Sequence, residues 1–270
     1  MRGAAGWGGE GDPLPTKAGS VGRGSPPAPR SGAAAVYVPS CTNRIFAGNP
    51  VEALVAVSAR AGMPVWIPED VAGSCCGLPW SSKGFGAAHA HKANEMVERL
   101  WQWSDEGALP IVVDAASCTQ GIADPGEGVL NEENVERLAK LAIIDSVAWA
   151  HDHLLPRLEL STKVGSATVH PTCATRHMGL APRLRSLAGA LADDVYVAPS
   201  AHCCGFAGDR GISHPELTEA ATRPQAEEVA GRHFDAYLSN NRTCEIGLSR
   251  ATGAEYQSVL VLLERLTRQA

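Results

Sequence analysis

Val36-Tyr37-Val38-Pro39-Ser40-Cys41 and Ala167-Thr168-Val169-His170-Pro171-Thr172-Cys173 are two versions of one phrase. Each is a short apolar run that ends in proline, a hydroxyl residue and cysteine. The second closing cysteine lies 132 residues after the first. Outward from this pair, Cys75-Cys76-Gly77 returns as Cys203-Cys204-Gly205 at an offset of 128, and Asp114 to Cys118 returns as Asn240 to Cys244 at 126. All eight cysteines fall in this register. Such self-similarity at a nearly fixed spacing marks an internal duplication.

Between the cysteines, strand and helix patterns alternate. Ala35 to Pro39, Val65 to Ile67 and Ile111 to Val113 read as buried strands, and Ser166 to Val169, Val195 to Val197 and Asp235 to Leu238 as their counterparts. Helices are expected over Pro50 to Ala61, with Pro50 in the first turn and Gly62 at the end, and over Phe85 to Trp103, with Ala88, Met96, Leu100 and Trp103 inward. Asn131 to Leu155 reads as mostly helical with a break near Asp145. Further helices are expected over Leu180 to Leu191, over Pro215 to Arg232 with a kink or break at Pro224, and over Tyr256 to Thr267. Alternation of this kind predicts parallel βαβ units with right-handed crossovers. The expected fold is therefore α/β, with two duplicated parallel-sheet modules over residues 35–160 and 161–270. Residues 1–34, rich in Gly and Pro and poor in large aliphatics, are expected to be a disordered tail.

Composition narrows the function. Hydrophobic residues are 44% of 270 but aromatics only 5%, so the core must be built from Val, Leu, Ile and Ala. The formal charge of −6 argues against a general binder of nucleic acid or anionic membrane, which needs clustered Lys and Arg. The best apolar stretch, Leu138 to Ala150, is interrupted by Lys140 and Asp145, whereas a span needs about 20 apolar residues. The N-terminus lacks the apolar centre of a secretory signal, so a cytoplasmic location is expected. Disulfide frameworks suit short secreted chains, which leaves reduced thiols for metal binding or redox work.

Each half offers one Cys, then Cys-Cys-Gly, then one Cys, each group following a strand. Loops after parallel strands converge at the carboxyl edge of the sheet, where ligands of open α/β folds bind. Zinc prefers paired spacings such as C-x2-C, and adjacent cysteines chelate a single tetrahedral ion poorly because their side chains diverge. They suit a polynuclear centre, where two sulfurs reach different irons. Gly77 and Gly205 would let the backbone approach an inorganic core, and backbone N–H groups there would bond to sulfur. Zinc binding, thiol redox chemistry and buried structural cysteines stand as alternatives at this point.

The pattern Cys…Cys-Cys-Gly…Cys, present twice, resembles the cysteine-rich CCG domain over about Ala35 to Arg268. That family includes the cysteine-rich subunit of heterodisulfide reductase and the iron–sulfur subunits of glycolate and lactate oxidation systems. The phrases Cys75 to Gly84 and Thr243 to Arg250 are most similar to the C-terminal region of FAD-linked oxidases of the D-lactate dehydrogenase type. The resemblance implies one iron–sulfur cluster per module, of 4Fe–4S type. Cys41, Cys75, Cys76 and Cys118 would hold the first, and Cys173, Cys203, Cys204 and Cys244 the second. It implies a part of an oxidoreductase that passes electrons from a flavin to quinone, a cytochrome or a disulfide. FAD would sit on a partner chain or a further domain, and the module would work in the cytoplasm or peripherally at the inner face of the membrane. Two departures stand out. The fullest family motif closes each module with C-x2-C, but the first position of that pair is Ala115 in one half and Asn241 in the other. The ferredoxin run C-x2-C-x2-C-x3-C-P is missing, as are segments long enough for an FAD domain. A separate subunit and a fragment of a longer product both fit, as does an inactive remnant.

Other residues are weighed beside the cysteines. His170 and His202, near cysteines in sequence, are candidates to bond cluster sulfur or to replace a missing thiolate. His89 and His91 lie two apart, share no helix face, and are expected at the surface or in capping roles. Lys83 and Arg210 read as surface cations or as offsets to the charge of a thiolate-bound cluster. Gly205 to Gly211 is spaced G-x2-G-x2-G, so it is not a dinucleotide fingerprint and reads as a loop around the second centre. No G-x-S-x-G elbow is present. The non-iron alternatives are a zinc-stabilised interaction module and a thiol–disulfide enzyme using the vicinal cysteines.

Overall fold

A computed structural model describes residues 27–46, 48–160 and 162–268. Residues 1–26 of the expected tail lie outside the described residues. Its last residues run along the first sheet. Ala28 N–H donates to the Val65 carbonyl at 3.0 Å, Ala34 N–H donates to the Pro64 carbonyl at 2.7 Å, and Arg30 pairs with Asp105 at 3.0 Å.

The first half runs β1 (Ala35–Val38), α1 (Cys41–Ile45), α2 (Pro50–Arg60), β2 (Val65–Trp66), α3 (Leu78–Ser81), α4 (Gly86–Trp103), β3 (Ile111–Val113), α5 (Ala116–Ala123), α6 (Glu132–Leu138), β4 (Ile143–Asp145) and α7 (Ser146–Trp149). The second runs β5 (Val164–Val169), α8 (Cys173–His177), α9 (Ala181–Leu191), β6 (Ala192–Tyr196), α10 (Arg210–Ser213), α11 (Pro215–Val229), β7 (Ala236–Ser239), α12 (Arg242–Thr252), β8 (Tyr256–Ser258) and α13 (Val259–Thr267). Each half builds one parallel four-stranded sheet, ordered β2-β1-β3-β4 and β6-β5-β7-β8. The expected α/β duplication thus holds at the level of strand order. The central strands of the first sheet, β1 and β3, are apolar and buried, as parallel strands covered on both faces must be.

Each half also carries a fourth strand where the sequence reads as helix. β4 lies inside the expected helix over Asn131 to Leu155, and β8 begins the expected closing helix. Both strands are three residues long and pass straight into a helix. The junctions are made by side-chain caps: Asp145 accepts from Val147 N–H at 2.9 Å, and Ser258 accepts from Leu260 N–H at 3.3 Å. With no Gly or Pro between strand and helix, the apolar runs merge in sequence. A further difference is Pro224, which leaves α11 unbroken. Pro224 and Ala220 are both exposed, so the carbonyl that loses its helical partner faces solvent. On α4, His89 rather than Ala88 turns inward, ahead of Ala93, Met96, Leu100 and Trp103.

The halves share one core. Leu54 and Val57 of α2, Trp149 of α7, Leu184, Leu187 and Leu191 of α9, and Leu260 and Leu263 of α13 are fully or almost fully buried in a single cluster. α13 packs on α2, and α7 packs on α9. The contact is latched by Arg60, which pairs with Glu264 at 3.0 Å and donates to the Thr267 hydroxyl at 2.6 Å. Each such leucine stabilises the fold by roughly 1.5–3 kcal/mol through removal from water. Among the described residues no helix is long and apolar enough to cross a membrane.

One core across both sheets implies one cooperative unit. Leu54→Ala is expected to lower stability by about 3 kcal/mol, with a single unfolding transition retained. Circular dichroism and tryptophan fluorescence during denaturant unfolding check this; two separated transitions would contradict it.

Candidate metal centre

All eight cysteines lie in the segments that follow the first three strands of each sheet. Cys41 and Cys173 are the first residues of α1 and α8. The preceding hydroxyl residue caps each helix: Ser40 Oγ accepts from Asn43 N–H at 3.3 Å, and Thr172 Oγ1 accepts from Thr175 N–H at 3.2 Å. Cys118 and Cys244 lie in the first turns of α5 and α12, after β3 and β7. The vicinal pairs occupy the loops after β2 and β6, where Gly77 (φ +83°) and Gly205 (φ +68°) turn the chain in the left-handed region. A Cβ at Gly205 would stand 2.7 Å from both Ala221 Cβ and the Leu217 carbonyl, and one at Gly77 would stand 2.9 Å from His89 Cδ2. The glycines therefore also let α11 and α4 press against the cysteine loops.

The first quartet gathers round one small cavity of about 20 Å³, lined by Cys41, Cys75, Cys76 and Cys118 together with Val38 and Met96. Cys76 Sγ lies 3.4 Å from Cys118 Sγ. In the second quartet, Cys204 Sγ and Cys244 Sγ are 2.8 Å apart. No described cysteine is in a disulfide. The sulfurs act on one another as pairs. Hydrogen bonding from Cys41 holds the Cys75 thiol well below its ordinary range, and the same bond, with burial, pushes Cys41 up. Cys203 is lowered to about 6, first by its hydrogen bond with Cys173. Cys204 is lowered by Cys244, and Cys244 is raised in turn. Backbone N–H groups add to this: Gly77 donates to Cys75, Leu78 to Cys76, Phe206 to Cys204, and Gly205 to Cys203 Sγ at 3.4 Å.

This donor set suits a polynuclear sulfur-ligated centre. Four thiols line one cavity in the first half. In the second they associate as Cys173 with Cys203 and Cys204 with Cys244. Backbone N–H groups donate to sulfur in both. Among the described residues no three Cys, His, Asp or Glu side chains close on a point as a single metal ion needs. The first cavity has room for about one water molecule, so seating a cluster requires the thiols to move apart.

Behind the thiols stands a residue that sequence reading passed over. Asp114, buried at the end of β3, accepts from Tyr37 O–H at 2.6 Å and from Ser40 N–H at 2.7 Å. It ties the loop of Cys41 to the strand that leads to Cys118. Asn240 holds the same place in the second half, and its Oδ1 accepts from the Thr175 hydroxyl at 2.9 Å. The duplicate pairing of Asp114 with Asn240 was the signal that could have found it. Asp145 is buried behind α5, accepts from the Thr119 hydroxyl at 3.1 Å, and is raised by burial to about 6.

The remaining candidates separate. Ala115 is fully buried, and Asn241 Nδ2 donates to Ser117 Oγ across the halves at 3.2 Å, so neither replaces the missing thiolate with sulfur. α1 touches α12 and α5 touches α8, which sets the two nests on either side of the junction. His89, expected at the surface, is buried over Gly77 because the glycine leaves room for its ring. His91 and His202 are exposed, and His170 is buried with Nδ1 2.7 Å from Gln225 Oε1. Lys83 turns from the thiols to Asp209, 2.6 Å away, and thereby joins the two Cys-Cys-Gly loops. Arg210 is exposed.

Fold and site together define a class: tandem α/β proteins with a thiol nest at the carboxyl edge of each parallel sheet. Residues 35–123 and 167–249 each match the model of the CCG cysteine-rich domain, and the chain belongs to that family. It is 23% identical over 239 residues to the glycolate oxidase iron–sulfur subunit of Escherichia coli K12, an alignment covering 83% of this chain and 56% of that protein. The chain thus spans little more than half that relative's length. Solved structures with some likeness include glutamate racemase from Aquifex pyrophilus, at 14% identity and TM-score 0.39 over 86% of this chain and 81% of that one. Another is glutamate racemase RacE1 from Bacillus anthracis, at 9% identity and TM-score 0.36 over 87% and 80%. Likeness at that level says nothing about chemistry here.

Two outcomes follow from this geometry. Gly205→Ala forces a left-handed alanine against α11 and is expected to cost roughly 2–4 kcal/mol, read as a lower denaturation midpoint; an unchanged midpoint would refute the close approach. Asp145 binds its proton more tightly folded than unfolded, so its contribution to stability is lost as pH rises from about 4 through about 6. Wild type should lose about 2–3 kcal/mol relative to Asp145→Asn over that window. Parallel stability curves for the two proteins would show that Asp145 ionises freely.

Proposed function

We propose that this chain is an iron–sulfur electron-transfer module of a flavin-linked oxidoreductase. The observation that carries the reading is the duplicated thiol nest, four sulfurs at each sheet edge with backbone N–H groups turned toward them. In this reading, modules 35–160 and 161–270 each hold one 4Fe–4S cluster. Cys41, Cys75, Cys76 and Cys118 are ligands of the first, and Cys173, Cys203, Cys204 and Cys244 of the second. Such a cluster, when bound, accepts and releases single electrons at a potential set by its ligands and hydrogen bonds.

The chain's own residues prepare that state. The lowered thiols Cys75, Cys203 and Cys204 shed protons readily, which favours sulfur–iron bonds at neutral pH. Gly77 and Gly205 keep side chains out of the loop that meets the inorganic core. Trp80, Phe85, Ile212 and Leu217 are exposed around the two Cys-Cys-Gly loops and suit a dock for the electron donor. That donor is an FAD-linked oxidase domain or subunit, a reading supported by the similarity to a glycolate oxidase iron–sulfur subunit. The flavin partner acts on a 2-hydroxy acid such as glycolate or D-lactate. Quinone, a cytochrome or a disulfide takes the electrons onward, with the module in the cytoplasm or peripheral at the inner membrane face.

Anaerobic reconstitution with ferrous iron and sulfide tests this. Expected are iron and acid-labile sulfide in similar amounts and charge-transfer absorption that bleaches on reduction. Cys76→Ser and Cys204→Ser should each remove about half of the bound iron. Zinc bound without sulfide, or electron transfer by metal-free protein, would overturn the proposal.

A further inference from the structure

Three residues after the first cysteine of each half stands an arginine, in Cys41-Thr42-Asn43-Arg44 and in Cys173-Ala174-Thr175-Arg176. The two arginines keep the same register as the two cysteines. Cysteine and arginine both belong to α1 in the first half and to α8 in the second, and a spacing of three sets them on one helix face.

Both side chains reach from the helix of the single cysteine to the loop of the vicinal pair. Arg44 Nη2 donates to the Ser74 carbonyl at 3.2 Å, and Ser74 lines the first thiol cavity immediately before Cys75. Arg176 Nη2 donates to the Ala201 carbonyl at 2.5 Å, two residues before Cys203. Its Nε also donates to the Pro171 carbonyl at 3.4 Å, two residues before Cys173. The same tie between the same two segments is thus made twice, and those segments carry three of the four sulfurs of each half.

The charge on these arginines is not spent on carboxylates. Arg60, Arg99, Arg183, Arg242 and Arg268 all form ion pairs. Among the described residues Arg44 and Arg176 form none, and their hydrogen bonds go to neutral carbonyls. Arg44 is half-buried, and its Nε–H is enclosed without an acceptor. Cations withdrawn from water are as a rule paired with an anion. Thiols are the neighbouring groups that can become anionic. Hydrogen bonding with Cys75 and burial raise the Cys41 thiol, and the Arg44 charge acts against that rise.

We propose that Arg44 and Arg176 are positioning residues of the two centres, each fixing the single cysteine against the vicinal pair and balancing the negative charge of a thiolate-ligated iron–sulfur core. The inference rests on the iron–sulfur reading above. Reduction adds negative charge, so a fixed cation beside the centre favours the reduced form and raises the potential. Arg176 is exposed, where water and salt screen its charge, so Arg44 has the larger effect.

The full chain is reconstituted anaerobically with ferrous iron and sulfide, and its potentials are titrated by EPR and visible absorption. Melting of the unloaded protein establishes that each variant is folded. Arg44→Gln keeps a donor for the Ser74 carbonyl but no charge, and is expected to lower one potential and leave the other in place. Arg176→Gln should lower the other potential by less. Arg44→Lys, which keeps the charge, should return its potential toward that of wild type. Should Arg44→Gln not fold, Arg176→Gln carries the same test at the exposed site. Folded Gln variants that load fully at wild-type potentials overturn the inference while the iron–sulfur reading stands, as does an Arg44→Lys protein indistinguishable from Arg44→Gln. A wild-type chain that takes up no iron and sulfide overturns both.

Discussion

Parallel strands all point one way, and this constraint organises the molecule. In each sheet the strand that enters first lies at the centre, flanked by the second and third. The loops leaving these three strands emerge side by side at one edge. Three loops suffice to deliver four sulfurs, because the middle loop carries two adjacent cysteines. Hydroxyl caps at Ser40 and Thr172 fix where α1 and α8 begin, and so fix the outermost thiols. Buried acceptors at the ends of the third strands, Asp114 and Asn240, hold the neighbouring loops in register. Sulfur placement is thereby a property of the sheet rather than of any local chelating motif.

That explains what could be read in the chain beforehand. The apolar runs at Val36, Ile111 and Ala167 declare themselves as strands since they are buried on both faces and bounded by Pro or by polar residues. The cysteine register discloses the duplication without any structure. Illegible were features created by tertiary contact. β4 and β8 are too short to show a period and gain their identity by pairing with β3 and β7. Pro224 looks like a helix breaker until its turn is known to face solvent. His89 has the composition of a surface residue, and only the missing side chain at Gly77 makes room to bury it. Whether distant thiols meet is likewise a matter of folding, and the Cys204–Cys244 approach of 2.8 Å has no local cause in the sequence.

The halves are alike in path and unlike in detail. Asp114 stands against Asn240, Val38 against His170, and Ala115 against Asn241. A carboxyl support in one nest faces an amide in the other, and an apolar wall faces a polar one. These differences touch the thiol surroundings while the strand order stays the same. They alter what surrounds the thiols without disturbing the scaffold.

The common core bears on origins. Leu54 and Val57 from one half meet Leu187, Leu260 and Leu263 from the other in one apolar cluster. A lone half would present that apolar flank to water unless a twin covered it. The present chain has the form of such a twin pair whose members became joined end to end. In a joined pair a change in one copy is not imposed on the other, which leaves each half free to differ.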